Sequence, residues 1–139
     1  MSETLKKRLE KISEVLSRVA MESMKGVPIV VEGKADVEAL RRLDVKGDLI
    51  AAKSGARSIL DVLDEVERRG KREVVLLMDF DRRGREWTKR LAQRLEQVKM
   101  RPNTRLWSEL SGLVRRDVKD VEGLPAYIET LKRKVGNRI

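Results

Sequence analysis

The chain has no cysteine and no histidine, and only four of its 139 residues are aromatic. These absences exclude a thiolate zinc site, a disulfide framework, a cysteine nucleophile and a Ser-His-Asp triad. Any bound metal must be held by oxygen, which favours Mg²⁺, Mn²⁺ or Ca²⁺. With so few aromatics the core must be aliphatic. No run approaches the roughly 20 apolar residues that span a bilayer, and the opening SETLKKRLEK lacks the apolar segment of a signal peptide. The expectation is a cytoplasmic protein with no membrane partner.

Charge is abundant. Lys and Arg number 32, Asp and Glu 23, for a net charge of +9, and apolar and charged residues each make up 40%. Signs are mixed along most of the chain, which favours a folded, salt-bridged surface over disorder. Many Lys, Arg and Glu without cysteine would suit a hot-living source. Residues 1–81 carry 16 basic and 16 acidic side chains, whereas 82–139 carry 16 and 7. A basic half beside a neutral half points to a polyanion partner; the plainer reading is a solubility surface.

The length suits one compact domain with a modest addition. Leu5, Leu9, Ile12, Leu16 and Val19 recur at helical spacing and predict an amphipathic helix over 3–24. Its stripe can pack on the domain or serve a protein partner or dimer. Strands are predicted at 27–31, 48–52, 73–78 and, more weakly, 104–107. Helices are predicted at about 35–43, 56–69, 85–98, 108–115 and 123–135. This alternation means right-handed βαβ crossovers and a parallel sheet. Ligands in such α/β sheets bind at the carboxyl ends of the strands.

Two of those ends are acidic. The first strand runs into Glu32-Gly33-Lys34-Ala35-Asp36, and the third into Asp79-Phe80-Asp81-Arg82-Arg83-Gly84. Converging carboxylates without partners repel one another, and a divalent cation relieves this. Asp79 and Asp81 are two apart, so in extended backbone both can face one ion. Taken alone, Asp-x-Asp can equally be a charged loop or a helix cap near Gly84. Together with Glu32 it predicts an oxygen-ligand metal site.

The stretches VVEGKAD (30–36) and LLMDFDRRG (76–84) resemble the paired motifs of the Toprim domain, found in topoisomerases, bacterial primases and several nucleases and recombination proteins. The resemblance implies an α/β fold with a four-stranded parallel sheet flanked by helices, over residues 26–110. An N-terminal helix (1–25) and a C-terminal helical extension (111–139) would flank it. It implies one or two Mg²⁺ ions, replaceable by Mn²⁺, on Glu32, Asp79 and Asp81, with Glu32 as general acid or base. Lys119-Asp120-Val121-Glu122-Gly123 further resembles a stretch of the ribosomal-RNA maturase nucleases, but lacks one glycine of their pattern. Asp120 or Glu122 can instead simply start the last helix. In length and layout the chain is similar to the small standalone archaeal Toprim proteins.

Several cations neighbour these motifs. Lys34 can meet a phosphate or pair with Asp36 or Glu38. Lys53 and Ser54 lie in a turn whose backbone N–H groups could cradle an anion, or which is an ordinary capped turn using Ser54 or Ser58. Arg82, Arg83 and Arg85 are placed to meet a nucleic-acid backbone, or to neutralise Asp79 and Asp81 internally. Trp87 and Trp107 could stack on bases but more often such residues pack. Tyr127, the only tyrosine, reads as a packed or surface residue. The function expected is a Mg²⁺-dependent, nuclease-like phosphodiesterase acting on RNA or DNA. The alternative is a non-catalytic nucleic-acid-binding accessory or scaffold subunit of an RNA-processing complex.

Overall fold

Strands β1 (Ile29–Val31), β2 (Leu49–Ala51), β3 (Glu73–Leu77) and β4 (Arg101–Asn103) form one parallel sheet in the computed structural model, which describes residues 2–53 and 57–136. Their order is β2-β1-β3-β4. The two central strands are the β-branched and leucine-rich runs, buried on both faces, as a parallel sheet between helices requires. Because side chains alternate along a strand, each central strand serves two cores. Ile29, Val31, Val75 and Leu77 face helices α1 (Ser2–Met24), α2 (Lys34–Arg42), α5 (Arg105–Val114) and α6 (Leu124–Gly136). Val30, Val74, Leu76 and Met78 face α3 (Ile59–Arg68) and α4 (Arg82–Gln97). Each fully buried aliphatic side chain contributes about 1.5–3 kcal/mol relative to exposure. This is the four-stranded parallel α/β fold that the resemblance implies.

The α1 stripe is spent inside the chain. Ile12, Leu16 and Val19 are buried, and Leu5 and Leu9 pack beside them, against α5 and α6. That stripe is therefore covered by the chain's own helices. Among the described residues, no helix is long and apolar enough to cross a membrane.

The fourth strand departs from expectation. Residues 104–107 are not a strand: Thr104 is the N-cap of α5, and the Asn103 side chain accepts from Arg105 N at 3.0 Å and Leu106 N at 3.3 Å. The strand is Arg101–Asn103, with Pro102 inside it. Proline lacks the N–H a central strand needs, but β4 is an edge strand pairing only with β3, where that loss is tolerated. Helix α3 also starts later than expected. Ser58 caps it, its Oγ accepting from Asp61 N at 3.3 Å while Asp61 Oδ2 accepts from Ser58 N at 2.9 Å.

Candidate metal centre

Glu32 directly follows β1, and Asp79 lies two residues past the end of β3. Since β1 and β3 are hydrogen-bonded neighbours in parallel, both side chains emerge at one edge of the sheet. Glu32 is only 7% exposed. Its Oε1 and Asp79 Oδ1 are both buried without a hydrogen-bond partner. The Glu32 carboxyl group lies within hydrogen-bonding reach of Asp79. Burial, then the Glu32 carboxyl group, and then the charges of Asp36 and Asp120 push the Asp79 carboxyl up to about 9. Two neighbouring carboxyl groups with buried oxygens that lack hydrogen bonds are costly in isolation.

Asp81 does something different. Its Oδ1 accepts from Gly84 N at 2.8 Å, which makes it the N-cap of α4. The helix-cap reading of Asp-x-Asp is therefore correct for Asp81, although this uses only one of its two oxygens. Among the described residues, no three carboxylates are gathered closely enough to hold one ion as they stand. Glu32 and Asp79 are brought together, with Asp81 at the rim.

The centre is braced from three sides. A Cβ on Gly84 would lie 1.9 Å from Asp79 O, so the first turn of α4 can press against the Asp79 backbone only because position 84 is glycine. The Trp107 indole N–H donates to Met78 O at 2.8 Å and Asp79 O at 3.3 Å. Phe80 N donates to Lys119 O at 2.8 Å, which ties the C-terminal extension to the end of β3. Asp36 supplies the matching tie at β1: Oδ2 accepts from Gly33 N at 3.0 Å and Oδ1 from Glu122 N at 2.9 Å. Its carboxyl is raised because burial outweighs these two hydrogen bonds, with Asp120 and Glu32 adding repulsion. Asp120 thus stands near the acidic centre while its Oδ1 accepts from Gly123 N at 2.8 Å, starting the short helical turn before α6. Glu122 is exposed.

Asp36 and Trp107 are the braces that sequence reasoning missed. For Asp36 a signal existed, because an acid three residues after Gly33 at a helix start fits a capping arrangement. For Trp107 the mistaken strand at 104–107 hid its place on a helix facing the end of β3.

The cations divide. Lys53 Nζ lies 3.5 Å from Glu32 Oε1 and 5.4 Å from the centroid of the Trp87 ring, so one ammonium joins the buried acid to an aromatic face. Lys34 is exposed and pairs with neither Asp36 nor Glu38. Arg82 pairs with Glu86 at 3.4 Å on the surface, and Arg83 and Arg85 are exposed. None of these three arginines neutralises Asp79 or Asp81, so the internal-neutralisation alternative fails. Ser54 lies outside the described residues. Trp87 and Trp107 both pack against the cores. Tyr127 donates to Asp117 Oδ2 at 2.9 Å and accepts from Arg8 at 3.3 Å, within a polar network between α1 and α6.

Comparison with known proteins agrees with this layout. The Toprim domain model matches residues 27–107. A UPF0292 protein from Methanosarcina barkeri is 35% identical over 134 residues, covering 96% of this chain and 92% of that protein. A UPF0292 protein from Methanocaldococcus jannaschii is 37% identical over 120 residues, covering 86% and 91%. A solved structure of a protein from Aquifex aeolicus superposes with a TM-score of 0.65 at 24% identity, covering 79% of this chain and 94% of that one, a likeness of fold. Toprim membership points to a metal-dependent role connected with nucleic acid. The chain belongs to the Toprim family and, within it, to the small UPF0292 proteins found in archaea.

Proposed function

We propose that this protein is a Mg²⁺-dependent phosphodiesterase that cleaves RNA or DNA at the edge of the sheet where Glu32 and Asp79 meet. The observation that carries this reading is the pair of buried oxygens without a hydrogen-bond partner, Glu32 Oε1 and Asp79 Oδ1, of which only the first has a cation nearby, Lys53 Nζ at 3.5 Å. Their all-oxygen chemistry fits Mg²⁺, with Mn²⁺ as a substitute. Glu32, Asp79 and the uncapped oxygen of Asp81 would hold the ion. Bound there, it would supply positive charge to polarise a phosphoryl oxygen. The chain's own groups do the rest. Lys34 and Lys53 act as point charges on the phosphate. Arg82, Arg83 and Arg85 hold the flanking backbone. Glu32 takes a proton from the attacking water as the water oxygen bonds to phosphorus; the bond to the leaving oxygen breaks, and that oxygen keeps the electron pair and takes a proton from solvent.

The test is incubation with structured RNA, single-stranded DNA and supercoiled DNA, with and without Mg²⁺. Cleavage that needs the metal and falls at least about a hundredfold in Glu32→Gln is expected. Absence of metal-dependent cleavage on all three substrates would sink the catalytic reading.

The ion should also be visible without any substrate. Lys53 spans Glu32 and Trp87, so an ion on Glu32 competes with that ammonium for the same oxygen. Titration with Mg²⁺ is expected to change tryptophan emission in the wild type and not in Trp87→Phe. A flat titration would separate Lys53 from the metal.

A second reading has one observation in its favour. Asp81 is committed as a helix cap, and no three carboxylates stand ready around one point among the described residues. That suits an accessory module that grips nucleic acid without turnover. Salt-sensitive binding with no cleavage under any metal would select it.

A further inference from the structure

We propose that the groove between α1 and the C-terminal end of α5 is a second phosphate-binding track, which carries the backbone of a nucleic acid away from the carboxylate centre. The proposal rests on the nucleic-acid reading above and extends it to a surface outside the Toprim-matched residues 27–107.

Helix α1 presents Lys7, Arg8 and Lys11 to this groove, on the flank of its apolar stripe, and α5 with the turn after it presents Arg115 and Arg116. Lys7, Lys11, Arg115 and Arg116 are exposed and form no ion pair among the described residues. Among the described residues the one acid lining the groove, Asp117, is already engaged: Arg8 lies 3.5 Å from its Oδ2 and the Tyr127 hydroxyl donates to it at 2.9 Å. The described lining therefore holds a strong positive excess, and the acid within it is occupied. Such a surface concentrates polyanions.

Its chemistry distinguishes a nucleic-acid backbone from a protein partner. Among the described residues, Leu113 is the only apolar side chain lining it, and no aromatic does. Protein interfaces depend on buried aromatic or aliphatic anchors, which this groove lacks. Without aromatics it also offers no platform for stacking bases. Phosphate contact alone remains, so binding here is tolerant of sequence.

The groove connects to the centre through one residue. Lys119 O accepts from Phe80 N at 2.8 Å, directly beside Asp79, while Lys119 Nζ donates to Arg115 O at 3.0 Å. Arg115 thus stands one helical turn before the residue that touches the acidic edge. The arginines of α4 and the groove then flank the centre as two phosphate-holding arms.

The experiment is fluorescence anisotropy with a labelled hairpin RNA and a labelled single-stranded DNA of equal length, in EDTA, across a salt series. In the Arg115→Glu/Arg116→Glu variant, Kd is expected to rise at least about tenfold and the slope of log K against log salt to fall by about 1.5–2. Gly112→Glu should act in the same direction: a side chain at 112 meets open space, so the fold tolerates it while the groove gains an acid. Arg133→Glu/Lys134→Glu, on the exposed end of α6, should stay within about twofold of wild type. Groove variants that bind like the wild type, or no worse than the α6 control, would overturn the track. So would poly-glutamate competing as well as nucleic acid of matched charge. Loss of binding in the groove variants with no cleavage by the wild type keeps the track and removes only the nuclease reading. No binding by the wild type removes both.

Discussion

Replacing Asp79 with Asn is expected to make the metal-free protein more stable and to leave it without metal-dependent activity. The two effects come from one cause. In the native fold Asp79 is pressed against Glu32, and its carboxyl is raised to about 9 from an ordinary value of 3.8. A raised folded-state value means that the protonated form is the one the fold favours. That stability is fully present below the unfolded value, near 4, and is lost progressively as pH rises towards 9. At neutral pH the metal-free wild type therefore carries a strained acid, whereas Asn at 79 carries none. Asp79 is partly exposed, so screening reduces the effect to on the order of 1–2 kcal/mol, or roughly 3–8 °C in Tm. Thermal unfolding in EDTA from pH 5 to pH 9, as approximate limits, measures it. The wild type should lose stability across that range more steeply than Asp79→Asn. Mg²⁺ should raise Tm in the wild type and not in the variant. Parallel pH profiles would show that Asp79 is not strained.

Gly84→Ala is expected to damage the protein more than any other single methyl group added near the site. The new Cβ would fall 1.9 Å from Asp79 O, 2.5 Å from its carbonyl carbon and 2.9 Å from its Cα. All three are backbone atoms, pinned further by the Trp107 indole, so no side chain can rotate away. Overpacking in a core costs typically about 1–3 kcal/mol, and a clash with fixed backbone belongs at or beyond the top of that range. A fall in Tm of at least about 10 °C follows for a chain of this size. The variant should also lose its response to Mg²⁺, because relief of the clash moves Asp79 away from Glu32. Gly112→Ala is the internal control. Its Cβ meets nothing within 4 Å, and alanine is the better helix former, so a small gain in stability is expected. If both variants melt alike, the close approach at Gly84 has no energetic weight.

Much of this was legible in the residues. Val30, Val31 and the run 74–78 are apolar without alternation, which only a strand covered on both faces explains, and they proved to be the central pair. Glu32 and Asp79 follow those strands, so parallel pairing was enough to bring them together. The fourth strand was harder to read. Three residues containing a proline carry no periodic signal, and β4 exists because β3 offers it a free edge. The centre's supports were harder still. Asp36 bonding to Glu122 spans 86 positions, and Trp107 reaching Met78 spans 29. No local pattern encodes contacts of that range. The dual character of Asp81 was visible as a choice between cap and ligand, and the cap half of it is now assigned.

The two ties from the C-terminal extension, at Phe80 and Asp36, also order events in time. During synthesis Glu32 and Asp79 leave the ribosome well before Lys119 and Glu122. A nascent chain would hold both motif acids without the segment that fixes their spacing. The spacing of the two acids is therefore fixed only once residues 119–122 have closed over the sheet edge.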